Sequence, residues 1–230
     1  MPGLPDIFFL QLEVNVKLEA MIFDLDGTIA DTVPLTIYSL KETARQLTGK
    51  EYSDDYILKL FGPIDSEIIK GLVNNHNREA AVEVYFTCFR ENFHRFVKPM
   101  DGIEELLKHL KSKSVRTGMF TGRSRRGTDI VLEELKLREY FDVIIPGDFI
   151  ENPKPDPEGI WNAMDYLRVE GRAAAYIGDM EVDVLAGKNA GVFSILALWS
   201  TTADERLIHT HPDKYFRSPR ELIQWLESES

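Results

Sequence analysis

The chain has 230 residues, 43% apolar and 28% charged, with 27 Lys+Arg against 38 Asp+Glu and a formal net charge of −11. Apolar content of this order excludes a disordered chain, and the acidic balance argues against nucleic acid, whose phosphates are held by Lys and Arg clusters. The single cysteine, Cys88, excludes an intramolecular disulfide framework and a Cys-based zinc cage, and suits the reducing cytoplasm. No apolar run approaches the roughly 18 residues of a membrane span. The greasy stretch from Ile7 to Leu10 lacks a basic leader, because Lys17 is the first Lys or Arg, so it reads as an edge strand or ordered tail. The length suits one large domain or a domain carrying a smaller one.

In chain order, Ala20-Met21-Ile22-Phe23 is the first of five short apolar runs, at 20–23, 115–120, 143–145, 174–177 and 193–198. Each reads as a strand buried on both faces. Helical spacing occupies 103–111, 128–137, 158–167 and 182–189 between them. Asp101 is placed to cap the helix at 103, with Glu104 as a capping-box partner; Asp156-Pro157 reads as a helix start, and Gly191 as a stop. This alternation predicts an α/β fold, a Rossmann-like doubly wound parallel sheet.

One interval breaks the pattern. Residues 34–99 carry helical spacing at 36–47, 54–60, 66–73 and 79–96 and no strand. The chain therefore divides into a discontinuous core, 1–33 and 100–230, and an inserted all-helical cap domain, 34–99. Proline at both ends and Gly102 just beyond suit a two-stranded hinge and a lid, although a rigid insertion reads the same way.

Four sites fall at or just after predicted strand ends, the edge where open α/β sheets bind ligands. Asp24-Leu25-Asp26-Gly27-Thr28 ends the first strand, and alternation puts both carboxylates on one side. Thr121-Gly122-Arg123 ends the second and opens a helix, combining a hydroxyl, a flexible amide and a helix N-terminus. Lys154 stands in Pro153-Lys154-Pro155-Asp156-Pro157, where the following proline keeps it extended. Gly178-Asp179 ends another buried strand, and Asp183 lies one helical turn on. Taken singly, each has an ordinary reading as turn chemistry, a surface lysine or helix-start acids. Together they place Asp24, Asp26, Asp179 and Asp183 over one edge, where four carboxylates need a cation. Hard oxygen donors with an open shell suit Mg2+. Lys154, the Thr121 hydroxyl and the Gly122 amide then cradle a phosphoryl group. One carboxylate is placed as nucleophile and a second as proton donor, the parts of a two-step phosphate monoester hydrolysis.

In this order the four sites resemble the motifs of the haloacid dehalogenase-like hydrolases. The helical insert after the first motif is similar to the cap of their phosphoglycolate phosphatase and β-phosphoglucomutase branch. The resemblance spans residues 20 to about 198 and implies roles position by position. Asp24 would be nucleophile and metal ligand, and Asp26 general acid/base with its carbonyl on Mg2+. Thr121 and Lys154 would hold phosphate; Asp179 and Asp183 would hold the metal. Because dehalogenase members lack a carboxylate at the Asp26 position and use no metal, dehalogenation is disfavoured. Met180 stands where Ser or Thr is frequent, and Gly122-Arg123 where Asn-Lys is frequent. The implied substrate is a small phosphorylated metabolite, phosphoglycolate first, with pyrophosphate and nucleoside monophosphates behind it, and the implied assembly a monomer or homodimer.

Weaker signals concern the substrate. Arg123, Arg125 and Arg126 could take a second anionic group, or form a solvated basic face; Phe61-Gly62 in the insert could face the substrate, or be a plain turn. His209 and His211 read as surface histidines, and Cys88, Trp161, Trp199 and Trp225 as packing. The rival readings are a phosphosugar mutase, a phosphonate hydrolase, a signalling receiver domain and a binding protein that has lost activity.

Overall fold

The computed structural model describes residues 17–73 and 78–228. At its centre is a wholly parallel six-stranded sheet. Five strands are the expected apolar runs: β1 (Ala20–Phe23), β2 (Arg116–Phe120), β3 (Val143–Ile145), β4 (Ala174–Gly178) and β5 (Phe193–Ala197). The sixth, β6 (Lys214–Phe216), buries only Phe216, and so short and polar an edge strand leaves no apolar run in the sequence. The order is β3-β2-β1-β4-β5-β6. The chain runs outward from β1 on one side and from β4 on the other, so the crevice at the β1–β4 junction is the switch point of the sheet.

Helices α1 (Val33–Thr48), α2 (Asp54–Leu58), α3 (Asp65–Leu72), α4 (Arg78–Glu91) and α5 (Phe93–Phe96) separate β1 from β2. Helices α6 (Ile103–Ser112), α7 (Arg125–Glu134), α8 (Glu158–Leu167), α9 (Glu181–Ala190) and α10 (Pro219–Ser228) cover the sheet. Leu106, Leu110, Val131 and Leu222 pack with Met21, Phe23 and Met119 on one face, and Ile160, Ala163 and Ala186 with Ile22, Phe120 and Tyr176 on the other. Coverage of both faces is why the strands read as continuous apolar runs rather than alternating ones.

The insert is helical as expected. Pro34 lies in the first turn of α1, and Gly49 closes it in the left-handed region at φ 68°, its N–H on the Arg45 carbonyl at 2.9 Å. The single helix expected over 79–96 breaks at Asn92, where the Cys88 carbonyl accepts both the backbone N–H at 3.2 Å and the side-chain amide at 2.9 Å. Leu35, Leu40, Ile69, Tyr85 and Phe89 of the insert belong to the same apolar cluster as Phe23 and Leu106 of the core. The two chain crossings lie side by side, with Met100 N–H on the Ile29 carbonyl at 3.1 Å.

Some local expectations are corrected. Gly102, at φ 83°, occupies the cap position of α6 and no side chain caps it; Asp101 pairs with Arg220 instead. The helix expected from 128 starts at Arg125, because Ser124 accepts from Gly127 N–H at 3.3 Å. Asp156 does receive the Glu158 N–H, at 2.9 Å, and Gly191 ends α9 at φ 72°. Trp161 is 52% exposed rather than packed, whereas Trp225 stacks on Phe193 at 5.6 Å. The Ile7–Leu10 stretch lies outside the described residues. Among the described residues no helix is long and apolar enough to cross a membrane.

Candidate active site

The sheet register builds the site. Phe23 pairs with Met119 and Ile177 in its two neighbours, so Asp24 is level with Phe120 and Gly178, and Thr121 and Asp179 lie one residue further out. Asp24 N–H still bonds the Ile177 carbonyl at 2.8 Å. Past the edge the chain must turn closely against its neighbour, which only glycine allows. Gly27 has φ 78°, and a Cβ there would lie 2.0 Å from Asp179 Oδ2. A Cβ on Gly178 would lie 2.3 Å from Asp183.

Lys154 is the electrostatic centre. Its Nζ is 2.7 Å from Asp24 Oδ1 and 2.7 Å from Asp183 Oδ1, with the side chain 11% exposed. The ammonium lies 5.2 Å from the Phe120 ring centre and 5.6 Å from that of Tyr176. Tyr176, which the sequence reading passes over, binds both the second and fourth motifs: its hydroxyl is 3.0 Å from the Phe120 carbonyl and 3.1 Å from Asp183 Oδ1. Its signal was a lone polar-tipped aromatic in a strand buried along its whole length. Asp183 also accepts the Met180 N–H at 3.0 Å, through Oδ2.

Carboxylate atoms of Asp24, Asp179 and Asp183 lie within 4.8 Å of one another. Burial pushes Asp24 up to about 7, with Lys154 pulling the other way and Asp183 and Asp26 adding to the rise. Burial, then Asp24 and Asp183, pushes Asp179 up to about 8. Asp179 Oδ1 is buried without a hydrogen-bond partner. Three carboxylates against one ammonium leave excess negative charge, and an unpartnered buried carboxylate oxygen asks for a cation. This donor set fits Mg2+, which takes hard oxygen ligands and keeps positions open for water and phosphate. Asp26, expected beside these groups, is not in the side-chain cluster; its carboxylate faces Arg123.

Thr121 is buried and its Oγ1 accepts the Arg123 N–H at 3.2 Å, while Gly122 is exposed with open space where a Cβ would be. The loop after β3 packs on this turn: a Cβ on Gly147 would lie 2.6 Å from the Gly122 carbonyl oxygen and 3.0 Å from Ile64 of the insert. Phe61 and Gly62, three and two residues before Ile64, are exposed. Arg123 is not displayed for a second substrate anion; it turns into the protein, with Nη2 2.9 Å from Asp26 Oδ1 and Nη1 3.3 Å from Asp65 Oδ2. Asp65 and Thr36, both reached by Arg123, had no signal beyond a helix-start acid and a mid-helix threonine. Arg125 and Arg126 form the solvated basic face, paired with Asp129 and Glu83. His209 and His211 join no cluster of metal-ligating side chains among the described residues, and Cys88 is buried.

The chain is similar to known proteins over most of its length. The chain is 29% identical over 211 residues to a phosphoglycolate phosphatase of Aquifex aeolicus, covering 92% of this chain and 98% of that protein. It is 28% identical over 217 residues to the pyrophosphatase PpaX of Bacillus cereus, covering 93% and 98%. Its fold superposes on a predicted phosphoglycolate phosphatase from Haemophilus somnus with a TM-score of 0.79 at 15% identity, covering 91% of this chain and 98% of that one. It superposes on CbbY of Rhodobacter sphaeroides in complex with phosphate with a TM-score of 0.76 at 23% identity, covering 89% and 96%. The model of the haloacid dehalogenase-like hydrolases matches residues 21–197, which takes in all four strand-end motifs, and the chain belongs to that hydrolase family.

Proposed function

We propose that the protein is a Mg2+-dependent phosphatase for a small phosphorylated metabolite, acting through an aspartyl phosphate on Asp24. The observation that carries this reading is the buried Asp24–Asp179–Asp183 cluster gathered on Lys154 at the sheet switch point, with Asp179 Oδ1 unpartnered. Asp24, Asp179, Asp183 and the Asp26 carbonyl would hold the ion. When bound it would neutralise phosphate charge and keep Asp24 ionised.

The chain's own groups do the rest. An Asp24 oxygen attacks phosphorus while Lys154, the Thr121 hydroxyl and the Gly122 amide take the phosphoryl oxygens. Asp26 gives its proton to the leaving oxygen, then takes one from the water that hydrolyses the acyl phosphate. The 34–99 insert serves as the cap that excludes bulk water, with Phe61-Gly62 at its substrate-facing end. The Aquifex and Bacillus relatives support phosphoglycolate and pyrophosphate as the first substrates to try. A location in the cytoplasm fits the single cysteine.

The test is phosphate release from phosphoglycolate, pyrophosphate, nucleoside monophosphates, sugar phosphates and an aryl phosphate, with Mg2+ and with chelator. Turnover lost on chelation and in Asp24→Asn is the expected result. Isomer formation from a hexose phosphate without phosphate release would replace this reading with a mutase.

A further inference from the structure

Arg123 belongs to the second motif by sequence, yet its guanidinium sits in the insert. Its side chain is 5% exposed. On one side it grips Asp26, with Nη2 2.9 Å from Oδ1 and Nε 3.2 Å from Oδ2. On the other it reaches Thr32 Oγ1 at 3.1 Å on the first chain crossing, Thr36 Oγ1 at 2.9 Å on α1, and Asp65 Oδ2 at 3.3 Å on α3. The Phe89 ring of α4 lies 5.1 Å from the guanidinium carbon. A single core side chain thus touches three helices of the insert and the second carboxylate of the first motif.

The chain also makes room for this arrangement. Gly127 lies in the first turn of α7, where glycine disfavours the helix. A Cβ there would stand 2.4 Å from Asp65 Oδ2 and 2.9 Å from Arg123 Cδ, so no larger residue fits beneath the pair. Both Asp26 oxygens face groups anchored in the insert or its crossing, since the Thr32 hydroxyl also donates to Oδ1. The orientation of Asp26 is therefore set from the insert rather than from the sheet.

We propose that Arg123 is a positioning residue: Asp65 and Thr36 of the insert hold its guanidinium, and the guanidinium fixes Asp26 chiefly through Oδ1, leaving Oδ2, met only by Nε at 3.2 Å, to carry the proton that goes to the leaving group. The inference rests on the proton-donor role given to Asp26 above. It predicts a dependence on the leaving group. kcat/KM covers only the steps through formation of the phospho-enzyme. An alkoxide needs a proton as it departs, whereas nitrophenolate needs little.

The experiment compares kcat/KM for phosphoglycolate and p-nitrophenyl phosphate in wild type, Arg123→Lys, Asp65→Asn and the double variant. Each single variant loses about 10- to 100-fold on the alkyl phosphate and less than about 5-fold on the aryl phosphate. The double variant is no worse than Arg123→Lys, because the two changes interrupt one linkage. Should Arg123→Lys fail to fold, Gly127→Ala pushes the same pair apart from below and gives the same leaving-group selectivity. Equal losses on both substrates, or strictly additive losses in the double variant, overturn the proposal while the phosphatase reading stands. A folded wild type that releases phosphate from no member of the wider substrate panel overturns the phosphatase reading itself.

Discussion

The sharpest physical consequence of the site is a reversed pH dependence of stability in metal-free protein. Burial holds Asp24 at about 7 and Asp179 at about 8, each from an ordinary 3.8. A carboxyl with a folded pKa above its unfolded one binds more protons folded than unfolded. Stability therefore falls as pH rises between the two values, the opposite of a salt-bridged carboxylate. For Asp179, the interval from about pH 5.5 to its folded value spans about 2.5 units, worth about 3 kcal/mol. Asp24 draws on the same Lys154 and Asp183, so its contribution overlaps and is not added. The assay is urea unfolding of chelated protein at about pH 5.5, 7 and 8.5, repeated with Mg2+. Chelated protein loses about 3 kcal/mol across the range, and Mg2+ restores most at the alkaline end, where the carboxylates are ionised. Because a net charge of −11 gives any acidic protein some slope in this direction, Asp179→Asn is the control that isolates the site. A flat profile in wild type, or a slope as steep in Asp179→Asn as in wild type, refutes the reasoning.

Other perturbations test separate parts of the structure. Gly27→Ala forces a left-handed alanine, a strain of about 1–2 kcal/mol, and drives its Cβ into Asp179; thermal unfolding registers the strain and the Mg2+ requirement rises. Tyr176→Phe removes only the hydroxyl on Asp183 and the Phe120 carbonyl; it costs about 1 kcal/mol in urea unfolding and weakens Mg2+ protection of the chelated protein. Phe89→Ala empties a fully buried site between insert and core and costs about 3–5 kcal/mol by the same method. Arg126→Ala breaks an exposed pair with Glu83 and changes stability by less than about 1 kcal/mol.

Much of this was written in the chain. Five strands and the helices around them were legible because burial on both faces demands unbroken apolar runs, and helices that cover them must repeat at 3.6 residues. β6 was invisible because an edge strand of three residues with one buried side chain has no such demand on it. The helix over 79–96 read as one because periodicity does not register a side-chain amide that shares a backbone acceptor at Asn92. The motif acids and Lys154 were visible because each follows a strand, and strand ends of a parallel sheet meet at one edge.

What the sequence determined alone was which groups reach that edge: Asp24, Asp26, Thr121, Lys154, Asp179 and Asp183, with glycines where the backbone must turn. Only the tertiary structure decided how they divide. Lys154 takes Asp24 and Asp183, Arg123 takes Asp26, and Asp179 keeps a buried oxygen unpartnered. Spacing along the chain cannot express this, because Asp26 and Arg123 are 97 residues apart and Asp65 joins them from the insert. Which cation neutralises which carboxylate depends on distance and burial, and both arise only when the chain has folded.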